Sequence, residues 1–219
     1  MRLVKRVLSW SGVGVLLCAA PLGLASNLVV NGDFSAGNSG FSSSYTFSPG
    51  DCTPPAVYDV TTNPHNCHPL FSSFGDHTTG TGNMMVVNGA QQAGVPVWGE
   101  TVAVLPNTTY FFSVWIATDY PLSPAQLDFS INGAALGPTF TASITPGQWQ
   151  QFFQTWFSGA NTTAALGLVN QNTAFSGNDF ALDDIVLDTT RPVPEPGTLL
   201  LVGSALAGLG AARRRRQPR

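Results

Sequence analysis

Tyr110-Phe111-Phe112-Ser113-Val114-Trp115-Ile116-Ala117 decides the fold. Successive side chains of a strand point to opposite faces, so Tyr110, Phe112, Val114 and Ile116 share one side and Phe111, Ser113 and Trp115 the other. Downstream, Gln126–Ile131 runs into Asn132-Gly133, a strong hairpin signal, before Ala134–Phe140. Gln148–Phe157 places Trp149, Phe153 and Phe157 on one side and Gln150, Phe152, Gln154 and Trp156 on the other. Ala164–Val169 and Phe180–Leu187 follow. Upstream, Val95–Leu105 leads into Pro106-Asn107, and Met84–Val87 precedes an Asn88-Gly89 turn. Ala56–Val60, Tyr45–Phe47 and Asn27–Val30, the last followed by the turn Asn31-Gly32-Asp33, complete the set, with Thr53–Thr81 rich in loop residues. No segment between the termini keeps a helical period, and no repeat or internal boundary divides it. Roughly eight to ten strands separated by Gly, Pro, Asn and Ser predict an all-β, two-sheet jelly-roll β-sandwich.

The final strand is irregular. Phe180 and Leu182 share one parity and Ile185 and Leu187 the other, so the phase flips across Asp183-Asp184. A bulge there re-aims a carboxylate instead of continuing the ladder.

The two ends have a different character. Met1–Ala25 carries Arg2, Lys5 and Arg6, then an apolar stretch from Val7, then Gly23-Leu24-Ala25, which is the layout of an N-terminal signal peptide cut after Ala25. A lipoprotein reading of Cys18 is disfavoured by the bulky Leu17 before it. At the other end, residues 191–197 form a proline-rich linker, held extended by Pro192, Pro194 and Pro196. Residues 198–212 are uncharged and apolar, and Arg213, Arg214, Arg215 and Arg216 stop them within a basic tail, 213–219. The run is shorter than the ~20 residues of a usual span, which leaves a buried core helix and a plain tail anchor as competing readings. It shows no polar face beyond Ser204, so a single C-terminal hydrophobic, transmembrane helix is the expectation, its length extended by snorkelling arginines. Residues 26–190 then form the β-sandwich domain.

The formal charge of −3 conceals a partition. All nine basic residues lie at positions 2, 5, 6, 191, 213–216 and 219, and none between Ser26 and Thr190, a span that holds eleven acids. A domain without Lys or Arg cannot neutralise phosphates, which excludes nucleic acid as a partner. Unpaired carboxylates outside the cell instead invite a hard divalent cation. Once the signal is removed two cysteines remain, Cys52 and Cys67, and an even count in an exported chain points to a disulfide, against two free thiols or a thiol beside His65 and His68.

Two resemblances join these readings. Val193-Pro194-Glu195-Pro196-Gly197, the apolar run and the Arg cluster resemble, in order, the PEP-CTERM sorting signal of Gram-negative exopolysaccharide producers. The resemblance implies an exosortase-type processing enzyme as partner, membrane anchorage in transit, and delivery to the cell surface or extracellular matrix. Asn27-Leu28-Val29-Val30-Asn31-Gly32-Asp33-Phe34 and Phe180-Ala181-Leu182-Asp183-Asp184-Ile185 resemble the first and last strands of galactose-binding-like, family 4/9-type carbohydrate-binding modules. Pro106–Ser113 and Gly147-Gln148-Trp149-Gln150 are similar to that family's central strands, while the insertion around Cys52–Cys67 departs from its pattern. That resemblance implies extracellular polysaccharide as a partner and a structural calcium held by Asp33, Asp183 and Asp184, the competing reading being a turn cap and a solvated Asp pair. Gly75-Asp76-His77-Thr78 and Gly82-Asn83-Met84-Met85 resemble stretches of other PEP-CTERM proteins of unknown activity.

Two further constellations carry chemistry. If both central strands lie in one sheet, Phe111, Trp115, Phe152 and Trp156 line a sugar platform with Gln150 and Gln154 as amide partners; the competing reading buries these rings in the core. His65, His68 and His77 with Asp76 offer zinc ligands, against a solvated polar loop between Pro64 and Pro69. No Gly-x-Ser-x-Gly elbow, HExxH or phosphate loop is present. The expectation is an exported, non-catalytic polysaccharide-associated protein. A glycan-processing hydrolase using two of the acids and a purely structural surface protein are the alternatives.

Overall fold

The computed structural model describes residues 27–191. The expected signal peptide, the sorting motif Val193–Gly197, the apolar run 198–212 and the Arg213–Arg216 stop lie outside the described residues. Among the described residues, no helix is long and apolar enough to cross a membrane.

Eleven strands follow one another: β1 (Thr46–Phe47), β2 (Val57–Thr61), β3 (Met84–Asn88), β4 (Pro96–Ala103), β5 (Thr109–Thr118), β6 (Gln126–Ile131), β7 (Ala134–Ala135), β8 (Phe140–Thr141), β9 (Gln150–Phe157), β10 (Thr163–Asn170) and β11 (Phe180–Asp188). They build two sheets, one ordered β1-β2-β3-β11-β5-β9 and the other β4-β10-β6-β7, with β8 also paired to β6. All pairs are antiparallel except β1 with β2. The expected strand Ala134–Phe140 is two short strands flanking a loop.

Tyr110, Phe112, Val114 and Ile116 of β5 point between the sheets, where they meet Phe129, Leu127, Leu166 and Leu168 of the facing sheet and Phe180 and Leu182 beside them. β3 shows why its sequence lacks alternation. Met85 and Val87 enter this inter-sheet core, whereas Met84 and Val86 join Cys52, Cys67, Phe71 and Ala181 in a second cluster on the outer face of the six-stranded sheet. A strand covered on both faces reads as a continuous apolar run. The cover is the segment between β2 and β3, tied down where the structure joins Cys52 to Cys67 with Cα atoms 4.9 Å apart. Closing that 15-residue separation stabilises by ~3 kcal/mol in the chain-entropy model.

The expected strand Asn27–Val30 is not one. After its irregularity β11 leaves β3, and residues 27–32 take the vacated edge without forming a ladder. The Asn27 side chain does the ladder's work, accepting from Leu187 N–H and donating to the Ile185 carbonyl, while Ile185 N–H donates to the Gly32 carbonyl. Gly32 is required there, because a Cβ would stand 2.1 Å from the Ile185 carbonyl oxygen. The flip at Asp183-Asp184 is a bulge: the register with β5 shifts between Asp183 and Val186, and Asp184 has φ of 47°.

Candidate functional site

The register of β5 against β9 divides the expected sugar platform. Tyr110 pairs with Trp156, Phe112 with Gln154, Val114 with Phe152 and Ile116 with Gln150, so these β9 side chains face the inter-sheet core. Phe111 and Trp115 pair with Thr155 and Gln151 on the outer face. Phe152 is 5% exposed and stacks on Phe129 with ring centroids 4.1 Å apart. Trp156 packs on Tyr110, Gln150 accepts from Ser143 N–H, and Gln154 lies against Gly137. The six residues do not form one surface, and Phe152 belongs to the core. On the outer face Phe111 stacks on Phe153, with the Arg191 guanidinium 5.5 Å from the Phe153 ring centre.

Trp115 is itself covered. The His77 ring stacks on it at 3.8 Å and 15°, and meets Trp149 edge-on. Behind that stack lies the Asp pair of the bulge. Asp183 Oδ2 accepts the backbone N–H groups of His77 and Thr78, at 2.8 and 3.2 Å. Asp184 receives the Thr78 hydroxyl at 2.6 Å on one oxygen and stands 2.6 Å from His77 Nδ1 on the other. The bulge thus aims its carboxylates at the 75–83 loop and fastens the segment to the sheet. Burial, then the neighbouring Asp184, pushes the Asp183 carboxyl up to about 7 despite these N–H donors.

Asp33 does not join them. It is exposed and accepts the backbone N–H and hydroxyl of Ser35 in a local turn. Calcium takes six to eight oxygens, and Asp33, Asp183 and Asp184 do not form one donor set for it. The zinc set is dispersed as well. His65 Nδ1 contacts the Phe71 carbonyl, His68 stacks on Phe71, and Asp76 caps the turn to Gly82. Among the described residues, no three His, Cys, Asp or Glu side chains stand close enough to hold a metal ion.

A cleft opens instead at the loop end of the sandwich, where β2, β3, β5 and β11 begin or finish. It encloses about 160 Å³ lined by His68, Leu70, Phe71, Asn88, Tyr120, Phe175 and Asp179. Phe175 is 84% exposed at the lip. Its loop is pinned by asparagines, which satisfy backbone groups that a ladder would otherwise pair. Asn172 Nδ2 donates to the Ser123 and Pro124 carbonyls, and Asn178 Nδ2 donates to the Ala90 and Ala174 carbonyls. Gly89 and Gly177 let the loop seat, since a Cβ would meet Asn178 Oδ1 at 1.0 Å and the Leu122 carbonyl oxygen at 1.8 Å.

One acid, Asp179, lines the cleft, and a second, Asp119, is fully buried next to it. Asp119 N–H donates to the Asp179 carbonyl at 3.1 Å, extending by one pair the register in which Phe180 faces Thr118. The two carboxyls are therefore cross-strand neighbours on the outer face. Asp179 Oδ1 accepts Gly89 N–H at 3.2 Å, whereas both Asp119 oxygens are buried without a partner. Burial, then the Asp179 charge, pushes Asp119 well above the carboxylate range, and burial raises Asp179 to about 7. Sequence reading missed this site because four separate loops and the end of β3 supply it. The usable signal was a lone Phe175 in the Asn-rich run Asn170–Asn178.

Comparison with known proteins bears on two parts of the chain. Residues 192–216 match the model of the PEP-CTERM protein-sorting motif. The chain carries that sorting signal. Its fold is similar to that of the N-terminal CBM22-1–CBM22-2 tandem of Paenibacillus barcinonensis Xyn10C, with a TM-score of 0.51 at 14% identity over 78% of this chain and 48% of the tandem, about half its length. Also similar are TmCBM61 in complex with β-1,4-galactotriose (TM-score 0.48, 13% identity, 75% and 99% covered) and the CBM22-1 xylan-binding domain of the same Xyn10C (TM-score 0.43, 12% identity, 78% and 95% covered). The described domain is an all-β sandwich with a fold similar to that of the CBM22-1–CBM22-2 tandem. No curated protein matches the chain.

Proposed function

We propose that the PEP-CTERM protein is exported, processed by an exosortase-type enzyme, and serves in the envelope or matrix as a non-catalytic module that holds one saccharide unit of an extracellular polysaccharide in the cleft beside Phe175. The observation that carries this reading is Phe175 itself. A large ring held in water by a loop with side-chain anchors at both ends has no packing role, and it stands over a concavity with converging hydroxyl, amide and carboxylate groups. Ring faces stack on the apolar faces of sugars, and Thr53, Asn88 and Ser176 are polar partners in the lining. At about 160 Å³ the space is below the roughly 300–1,000 Å³ of pockets for drug-sized ligands, so it suits one ring or a chain end.

Hydrolysis is the poorer reading. Glycoside cleavage needs two carboxyl groups flanking the bond, about 5–9.5 Å apart. Asp179 reaches the cleft, but Asp119 is sealed behind it with no exposed surface. A glycan array followed by calorimetry tests the proposal. Phe175→Ala should weaken retention of the bound glycan by about tenfold or more, the worth of a good aromatic contact, at unchanged melting temperature. Equal retention by wild type and Phe175→Ala, or retention of no glycan by either, would overturn it.

A further inference from the structure

Two acids meet at the cleft, Asp179 in its lining and Asp119 buried next to it. Asp119 and Asp179 face each other across adjacent strands, an arrangement that like charges destabilise. Native proteins rarely leave a buried carboxylate without a partner, and where one is found an absent ion or ligand group is the usual account. Here neither Asp119 oxygen has a hydrogen-bond partner, and the residue has no exposed surface. Among the described residues the only Lys or Arg is Arg191, which sits over Phe153 on the outer face, and His68, the imidazole in the cleft lining, accepts Leu70 N–H and is held toward its neutral form by burial. A cationic group on a ligand would complement Asp179.

The walls say which kind of cation fits. A hard divalent ion wants six to eight oxygens, and no three acidic, His or Cys side chains converge among the described residues. One of Asp179's oxygens is already taken by Gly89 N–H. The rest of the lining is largely rings and alkyl groups, namely Phe71, Tyr120, Phe175 and Leu70, with the His68 imidazole, hydroxyls and an amide. Ring faces attract an ammonium, and a carboxylate forms charge-assisted hydrogen bonds with it. Asp179 can take such a contact directly from the cleft, and an ammonium there would favour the ionised form of the neighbouring carboxyls.

We propose that the cleft selects a sugar bearing a free amine, a hexosamine unit whose nitrogen is not acylated, over its N-acetylated and neutral counterparts. The proposal rests on the saccharide reading above and names its ligand class. The amine enters beside Asp179, the sugar ring lies against Phe175, and the exocyclic hydroxyls meet Thr53 and Ser176.

Calorimetry of the full-length protein with glucosamine, N-acetylglucosamine and glucose oligomers of equal length tests it. Glucosamine oligomers should bind about tenfold or more tighter than the other two, the worth of one charge-assisted hydrogen bond. That advantage should shrink as salt is raised. Asp179→Asn, which keeps the Oδ1 acceptor for Gly89, should remove the advantage while leaving the weaker neutral binding. Equal affinity for all three in the wild type overturns amine selection and leaves the saccharide reading standing. Binding of none of them, nor of any arrayed glycan, overturns both. Calcium alone raising the melting temperature of wild type but not of Asp179→Asn would assign the floor to a metal and likewise overturn the amine. Wild-type selectivity and its salt dependence decide the matter even if Asp179→Asn fails to fold.

Discussion

At the scale of single residues, Asp119 makes the clearest claim on stability. Its carboxyl is raised well above the ordinary value by burial and by Asp179, which is itself raised to about 7 by burial. Between about pH 4, where an unfolded Asp titrates, and about 7, the folded state therefore holds protons that the unfolded state has lost. Stability falls as pH rises through that window, the opposite of a salt-bridged carboxylate. His68, lowered by burial, works against this below about pH 6.5, but it is one half-exposed ring beside two buried acids. The ligand-free protein is thus expected to melt lower at pH 8 than at pH 5. Asp119→Asn should lessen that fall and raise the pH 8 melting temperature by a few degrees, since an amide carries no cost of ionisation or proton uptake at that pH. Calorimetric scans at the two pH values check it; a melting temperature that rises from pH 5 to pH 8 would sink the assignment of Asp119 as an uncompensated acid.

At the scale of elements, parity within a strand was legible and pairing between strands was not. The alternation of β5 and of β9 is as the residues suggest, with Tyr110, Phe112, Val114 and Ile116 inside. Yet both strands carry aromatic residues on both faces, so the pattern could not tell which face of one met which face of the other. The physical reason is the disulfide-tied segment between β2 and β3, which lands on the outer face and makes apolar residues acceptable there. A one-residue difference in pairing exchanges the faces entirely. The register has a measurable consequence at two adjacent positions of β9. Phe152→Ala empties a site stacked on Phe129 and should destabilise by about 3–5 kcal/mol, whereas Phe153→Ala removes a half-exposed ring and should cost about 1 kcal/mol. Urea denaturation of the two variants distinguishes them, and equal losses would contradict the pairing. The cover itself is testable too: Cys52→Ala with Cys67→Ala should lose about 2–4 kcal/mol, together with hydrogen-exchange protection across β3.

At the scale of the whole molecule, what was legible is what composition and local order can carry. Turn residues at short intervals mark a sandwich, the phase flip at Asp183-Asp184 marks its bulge, and the tail reads in linear order. The cleft was hidden because its residues are brought together by strand ends lying far apart in sequence, from Thr53 to Asp179. The same partition of charge links the tail to the site. Every basic residue except Arg191 lies in the first six positions or from Arg213 onward. Removal of Met1–Ala25 and cleavage near Pro194–Pro196 would leave eleven acids against Arg191 alone between Ser26 and Val193, a formal charge of −10. Such a protein is repelled by acidic polymers and drawn to cationic ones, at ranges set by salt, which agrees in sign with an amine-bearing ligand at the cleft floor. A retained tail, with five arginines and Glu195, would bring that charge to −6 and keep the apolar run attached. Intact-mass spectrometry of the protein recovered from its native cell surface is therefore expected to show a chain beginning near Ser26 and ending between Val193 and Gly197. A mass that includes Arg213–Arg216 would show that the sorting signal stays in place, and the long-range attraction inferred for the released domain would then have to be much weaker.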